Sequence, residues 1–211
     1  MNVVIPVDVQ LPAGVSLFRD ARGLNSFADP ACAAAIWDRQ VPPEVLAWLA
    51  DLSAGVLPNA RIVLQPAAVK DAVSHLCDLS GMPDTLQRAW LVEDVSDLAS
   101  SFAALMQAAY VRLRLQAVTT NACRKFHLDA ITGRLVCTYR GPGTQYGTST
   151  TGEDPEHIRT VPTGAPILLR GSLWRPVPDS GLLHRSPPIE GTGETRFVLV
   201  LDPVLDLDEA G

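Results

Sequence analysis

The sequence predicts an α+β protein, with helices in its first half and short strands in its second. Apolar residues recur at helical spacing before residue 110, whereas strict apolar–polar alternation begins at Val111. The 211 residues include 17 prolines and 15 glycines, which favour many turns. Short strands joined by such turns are typical of a sandwich or jelly roll. We therefore expect a helical extension, 1–110, packed on a β core, 111–211, as one compact unit.

The helical half is assigned from spacing and from start signals. Asp29 is a good N-cap and Pro30 suits the first helical position, which predicts a helix that starts there. Residues 3–9 alternate loosely and are predicted to be a strand that docks on the body, and residues 61–64 fit either a helix or a strand. The predicted helices are 31–39, 43–52, 66–79, 83–90 and 94–109.

The β half begins with the alternating run 111–118, which is the pattern of a half-buried strand. Glycine- and proline-containing links separate the runs that follow, and the tail from residue 202 is acidic. The further predicted strands are 134–139, 166–170, 182–186 and 196–201.

Composition excludes several classes of function. The net charge is −6 and no basic cluster occurs, which argues against a nucleic-acid partner or an anionic membrane surface. The N-terminus lacks the basic region of a signal peptide, and no apolar run reaches the length of a membrane span. We therefore expect a cytoplasmic protein whose cysteines are free thiols, namely Cys32, Cys77, Cys123 and Cys137.

His127 and Asp129 form the first part of a candidate metal site. Because they lie two residues apart, their side chains point the same way on an extended segment and can share one ion. His184 comes from a later predicted strand, which a closed β fold can bring alongside. Two imidazoles and one carboxylate form the facial triad of non-haem Fe(II) oxygenases, which leaves coordination positions open. We interpret the three residues as ligands of one metal ion, Fe(II).

Arg196 is the candidate partner for a carboxylate. It starts the predicted strand 196–201, 12 residues after His184 (196 − 184). A guanidinium beside a metal site can hold a carboxylate through two charge-assisted hydrogen bonds. A dicarboxylate would bind the metal at one end and Arg196 at the other. Tyr139 shares the parity of Leu135 and Cys137, and we expect its hydroxyl to add a bond to that ligand.

Longer motifs carry a family resemblance. Phe-His-Leu-Asp at 126–129, Cys-Thr-Tyr-Arg-Gly-Pro-Gly-Thr at 137–144, His-Arg-Ser-Pro-Pro at 184–188 and the run 191–203 resemble the bacterial family named domain of unknown function 1826. The resemblance covers 111–203 well and the helical half loosely. It assigns no reaction.

The His-x-Asp, distal His and following Arg resemble the 2-oxoglutarate/Fe(II)-dependent dioxygenases. That resemblance implies a double-stranded β-helix core, with Fe(II) and 2-oxoglutarate as cofactors of an oxygenase. Many of those enzymes have Arg-x-Ser, whereas this chain has Val198 in place of the serine. The substrate, a small molecule or peptide, has no recognisable code in the sequence.

Two other interpretations are open from the sequence. Thiolates favour zinc, so Cys123, His127 and Cys137 could bind Zn²⁺ together with Asp129 or His184. The protein would then be a non-enzymatic, cupin-like metal-binding protein, for example in zinc homeostasis. In the other interpretation, the fold is cupin-like and its triad is degenerate.

Overall fold

The computed structural model describes residues 11–174, 178 and 180–207. The strand expected at residues 3–9 and the end of the acidic tail, 208–211, lie outside these ranges. In the described chain, four strands and three α-helices alternate through the first 118 residues, and six further strands follow. No helix in these ranges is long and apolar enough to cross a membrane.

Three α-helices form in the first half of the chain. They are α1 (Pro43–Asp51), α2 (Val69–Ser80) and α3 (Leu86–Met106). Thr85 starts α3, since its side chain accepts a hydrogen bond from Arg88 N at 3.2 Å. The two helices predicted at 83–90 and 94–109 are therefore one continuous helix. Short 3₁₀ turns at Ala21–Ala28, Ala54–Val56 and Pro66–Ala68 complete the helical content.

The first 110 residues also contain three strands, so they are not purely helical. These are β1 (Val15–Phe18), β2 (Ala34–Trp37) and β3 (Ala60–Leu64). The helix predicted at 31–39 is wrong, because β2 occupies that stretch and pairs with two other strands. Asp29 does accept a hydrogen bond from Ala31 N, at 2.8 Å, but this closes a turn and starts no helix.

The β half contains seven strands. Five of them confirm predicted runs within two or three residues, namely β4 (Tyr110–Val118), β5 (Gly133–Arg140), β8 (Pro166–Arg170), β9 (Leu182–Arg185) and β10 (Arg196–Val204). The short strands β6 (Gln145–Thr148) and β7 (Arg159–Thr160) were not predicted.

Two sheets result. The large sheet has the order β1-β2-β8-β5-β10-β4-β3 and is antiparallel except for the β1–β2 pair. The small sheet has the order β7-β6-β9. The chain is thus a mixed α+β protein with a large antiparallel sheet, which confirms the predicted class at that level.

The large sheet is covered on both faces. On one face, Leu113 and Leu199 join α3 residues such as Phe102 in the main apolar core. On the other face, Val136 and Val198 pack with residues of the small sheet in a second cluster. Successive residues of each central strand therefore serve different faces. We call the first the helix face and the second the cleft face.

Candidate metal centre

His127 and His184 are joined through their backbones. His127 lies in the link between β4 and β5, and His184 lies on β9. His127 N donates to His184 O at 3.0 Å, and His184 N donates to His127 O at 3.1 Å. This two-residue bridge places the imidazole centroids 4.5 Å apart. A link segment is thus held to a strand at the point where the two side chains meet.

Asp129 completes the cluster. One carboxylate oxygen lies 3.1 Å from His184 Nε2 and the other 3.3 Å from His127 Nε2. One ligand atom from each of the three residues lies within 4.8 Å of the others. His127 Nδ1 lies 2.9 Å from Lys125 O, so a proton there would leave Nε2 free as a donor to a metal.

The donor set fits a transition-metal ion. Burial raises the pKa of Asp129, but the hydrogen bond from His184 and the charge of Arg134 outweigh it and hold that pKa well below its usual range. Burial lowers the pKa of His184, against the opposing pull of Asp129. The carboxylate is therefore ionised and the imidazole neutral near pH 7, which are the forms that bind metals.

Arg134 and Asp202 support Asp129 from behind. Arg134 Nη1 donates to Asp129 at 2.7 Å, while its Nε and Nη2 donate to Asp202 at 2.6 and 2.9 Å. This part-buried, fork-shaped contact fixes the guanidinium against β10. Sequence reasoning missed both residues. The available signal was that Asp202 and Arg196 are charged and six apart, hence on one face of the same strand.

Arg196 is buried without a carboxylate partner among the described residues. Its side chain is 5% exposed, and it donates to Pro142 O at 3.1 Å and to the hydroxyls of Thr138 and Thr144 at 2.9 and 3.0 Å. Burial lowers the pKa of Arg196 to about 10. A buried cation with only neutral partners is costly, and an anionic ligand would compensate that cost.

A cleft of about 230 Å³ connects these features. His127, His184 and Arg196 all line it, with Val198 on the same wall. In the described part of the chain, no acidic side chain lines this cleft. The arginines that do are Arg114, Arg134, Arg185 and Arg196. The cleft is therefore strongly cationic although the whole chain carries a net charge of −6.

Tyr139 lies on the other side of the sheet. Its ring is fully buried in the core of the helix face, and its hydroxyl donates to Asp94 of α3 at 2.6 Å. Arg39 binds the same carboxylate, and burial raises the pKa of Tyr139 well above its usual range. The structure does not bring Tyr139 to the cleft, because the parity it shares with Leu135 is the parity of the helix face.

The four-ligand zinc arrangement is also not assembled. Cys123 Sγ lies 3.6 Å from His127 Nδ1 and lines the cleft. Cys137, however, is fully buried on the helix face, and its thiol lies 3.6 Å from Gly164 O. Burial raises the pKa of Cys137 to about 12, which disfavours the thiolate that binds zinc.

Solved structures with a comparable fold include oxygenases. The dioxygenase for auxin oxidation 1 from Arabidopsis thaliana, solved with 2-oxoglutarate, matches with a TM-score of 0.51 and 10% identity over 93% of this chain and 94% of that chain. The auxin-oxidation dioxygenase of rice matches with a TM-score of 0.48 and 14% identity, over 91% of this chain and 83% of that chain. A prolyl-4-hydroxylase from Pseudomonas putida matches with a TM-score of 0.44 and 13% identity, over 90% of this chain and 98% of that chain. No curated protein matches the chain.

The Arabidopsis match shows that the chain has a fold comparable to that of the matched structure, and the His-Asp-His cluster lies within this fold. The particular family follows from a sequence model that matches residues 19–202. The chain belongs to the family described as protein of unknown function DUF1826. The family resemblance seen in the sequence motifs is thereby confirmed.

Proposed function

We propose that this protein is a non-haem oxygenase that uses Fe(II) and 2-oxoglutarate. One observation carries the proposal: the buried, carboxylate-free Arg196 lines the same cleft as the histidines of the His-Asp-His cluster. A metal ligand set alone would fit many proteins. A metal ligand set combined with an unpaired buried guanidinium fits a co-substrate that carries two carboxylates.

In this proposal His127, Asp129 and His184 hold the iron. Their two imidazoles and one carboxylate form the donor set of the facial triad. When bound, Fe(II) and 2-oxoglutarate supply the activation of dioxygen for oxidation of a substrate. Arg134 keeps the carboxylate of Asp129 oriented, and the Lys125 carbonyl keeps the His127 ring oriented.

Arg196 binds the far carboxylate of 2-oxoglutarate in this proposal. Thr138 and Thr144 each accept a hydrogen bond from its Nη2, which holds the guanidinium in place. In this proposal their hydroxyls take the role of the serine that many related enzymes have two residues after the arginine. Val198 stands at that position and gives the cleft an apolar wall. Thr138 on β5 and Thr144, just before β6, place hydroxyl groups beside the guanidinium.

The double-stranded β-helix belongs to the same proposal. The small sheet packs over the cleft face of the large sheet, as the two sheets of such a core would. We assign the core to 111–211 and the extension to 1–110, with β1, β2 and β3 of the extension lengthening the large sheet. The Arabidopsis dioxygenase of comparable fold was solved with 2-oxoglutarate, which is consistent with this assignment.

Anaerobic titration tests the proposal. Fe(II) and then 2-oxoglutarate are added to the purified protein, and we expect a weak visible charge-transfer band. After admission of air, we expect slow succinate formation without substrate. His184→Ala should lose both signals, and Arg196→Met should weaken the response to 2-oxoglutarate. Absence of the band and of succinate in the iron-loaded wild-type protein would refute the proposal.

The contact between Cys123 and His127 favours one second candidate, a zinc-binding protein without oxygenase activity. Metal analysis of protein purified without added metal separates the two functions. A zinc protein should retain zinc tightly, lose affinity in Cys123→Ser, and ignore 2-oxoglutarate. An oxygenase should keep its metal affinity in Cys123→Ser and bind 2-oxoglutarate with a dependence on Arg196.

A further inference from the structure

Two arginines face each other at the edge of the large sheet. Arg114 of β4 is paired directly with Arg61 of β3 in the antiparallel register. Directly opposed residues place their side chains on the same face, and like charges in that position repel each other. Arg114 lines the cleft, while Arg61 is exposed beside it. Two opposed arginines do not stabilise the sheet, so the positive charge at this position needs another explanation.

Arg114 has little charge compensation from the protein. Its Nη2 lies 3.6 Å from Asp202, but that carboxylate already accepts two shorter hydrogen bonds from Arg134. Within the described chain, the buried Nε of Arg114 has no hydrogen-bond partner. Burial and the neighbouring charge of Arg134 lower the pKa of Arg114. The direction of this shift agrees with a shortage of negative charge around the guanidinium.

The charges of the loaded cleft do not balance. Four arginines line it, and the carboxylates near them are Asp129 and Asp202. A divalent metal and a dicarboxylate co-substrate would cancel each other. Two positive charges then remain without a partner. Arg185 donates to Gln145 and lies over the Phe126 ring at 4.4 Å, whereas the Nε of Arg114 has no partner among the described residues. We therefore assign the uncompensated charge to Arg114.

Arg114 is too far from Arg196 to serve the same carboxylate. Arg114 lies opposite Val200 on β10, whereas Arg196 is four residues earlier on that strand. Four residues of an antiparallel strand span about 13 Å. The two arginines therefore start from different ends of the cleft floor, and Val198 lies between them in the register.

We propose that Arg114 binds an anionic group, a carboxylate or a phosphate, of the primary substrate, with Arg61 adding positive charge at the outer edge. The word substrate rests on the proposed oxygenase function, whereas the anion site itself does not. A neutral substrate would leave Arg114 with only its long contact to Asp202, which it shares with Arg134. The Arg114 side chain is 26% exposed and lines the cleft, so its guanidinium can donate to an oxyanion there, which completes the charge balance of the cleft.

NMR of arginine side chains tests the site directly. The Nε–Hε signal of Arg114 is assigned by its loss in Arg114→Lys. Protein loaded with Zn²⁺ and saturated with 2-oxoglutarate is then titrated separately with inorganic phosphate, acetate and neutral acetamide. We expect phosphate or acetate to shift the Arg114 signal saturably and acetamide to leave it unchanged. The stronger of the two anions identifies the chemical source of the group.

Variants make the result decisive. Arg114→Gln should weaken binding of the preferred anion at least tenfold, whereas Arg19→Gln, an exposed arginine outside the cleft, should not. An unmoved Arg114 signal, or anions that act only by displacing 2-oxoglutarate, would overturn the proposal. Should 2-oxoglutarate itself fail to bind, the same titration in metal-free Arg196→Met still reads the Arg114 site, so the two failures are distinguishable.

Discussion

Replacement of Arg196 by methionine should separate ligand binding from stability. The pKa of Arg196 falls from 12.5 to about 10 because of burial. At pH 7, below both values, the side chain is charged in the folded and unfolded states, so the whole cost of burying the charge is present. That cost is about 3 kcal/mol. Methionine removes the charge and keeps most of the side-chain volume.

The same substitution removes three hydrogen bonds, to Pro142, Thr138 and Thr144. Each contributes about 1 kcal/mol. The gain and the loss therefore nearly cancel, and we expect the free energy of unfolding of the metal-free protein to change by less than about 1 kcal/mol. Binding of 2-oxoglutarate should weaken by at least about 2 kcal/mol, or roughly 30-fold, because a buried charge pair is lost.

Urea unfolding measures the first quantity, and calorimetric titration of the Zn²⁺-loaded protein with 2-oxoglutarate measures the second. Arg39→Met is the matched control. The Arg39 side chain is only 12% exposed, but it is paired with Asp94 on the helix face. Breaking that pair should cost about 3–5 kcal/mol of stability and leave 2-oxoglutarate binding unchanged. The opposite pattern, with Arg196→Met unstable and its ligand affinity intact, would refute the reasoning.

Four further predictions follow from the described contacts. His184→Ala and Asp129→Ala should each lower Zn²⁺ affinity by more than about 100-fold in competition with a chromophoric chelator, and unchanged affinity would disprove the ligand assignment. Iodoacetamide at pH 8 should modify the exposed Cys123 first, as read by mass spectrometry, because burial raises the pKa of Cys77 to about 11 and of Cys137 to about 12. For the same reason stability should decline between pH 9 and 12, where the unfolded Cys137 thiol ionises and the buried one does not, and Cys137→Ala should lessen that decline. Gly143→Ala should cost about 1–3 kcal/mol and weaken 2-oxoglutarate binding, since its Cβ would lie 1.9 Å from Val161 O beside Thr144. Gly55→Ala should be neutral, because its Cβ would meet only Ser53 Oγ at 3.8 Å, an ordinary contact.

The sequence predicted which residues meet at the site better than it predicted the sheet face on which each side chain lies. Two-residue spacing placed His127 and Asp129 together, and the structure brings His184 to them and Arg196 to the same cleft. The role of Tyr139 was inferred from parity with apolar neighbours. That inference needs a sheet with one buried face, and here both faces are buried. Alternation therefore identified two faces without showing which one carries the polar groups.

The helical half shows a different limit of sequence reasoning. Asp29, Pro30 and the alanines after them satisfy the local rules for a helix start. Pairing of β2 with β1 and β8 overrides that preference, because strand partners distant in the sequence satisfy its backbone groups. The supporting residues Arg134 and Asp202 went unnoticed for a related reason. Their importance depends on contacts 68 positions apart.

The backbone bridge between His127 and His184 couples metal binding to the link between β4 and β5. The link between β4 and β5 meets β9 through two mutual hydrogen bonds, and an ion held by both rings would close a second connection at the same point. Any fluctuation that lifts the link away from β9 would then have to break both connections together. Metal loading should consequently slow amide hydrogen exchange and proteolytic cleavage within residues 119–132, while helix α2 on the far side keeps its own exchange rate.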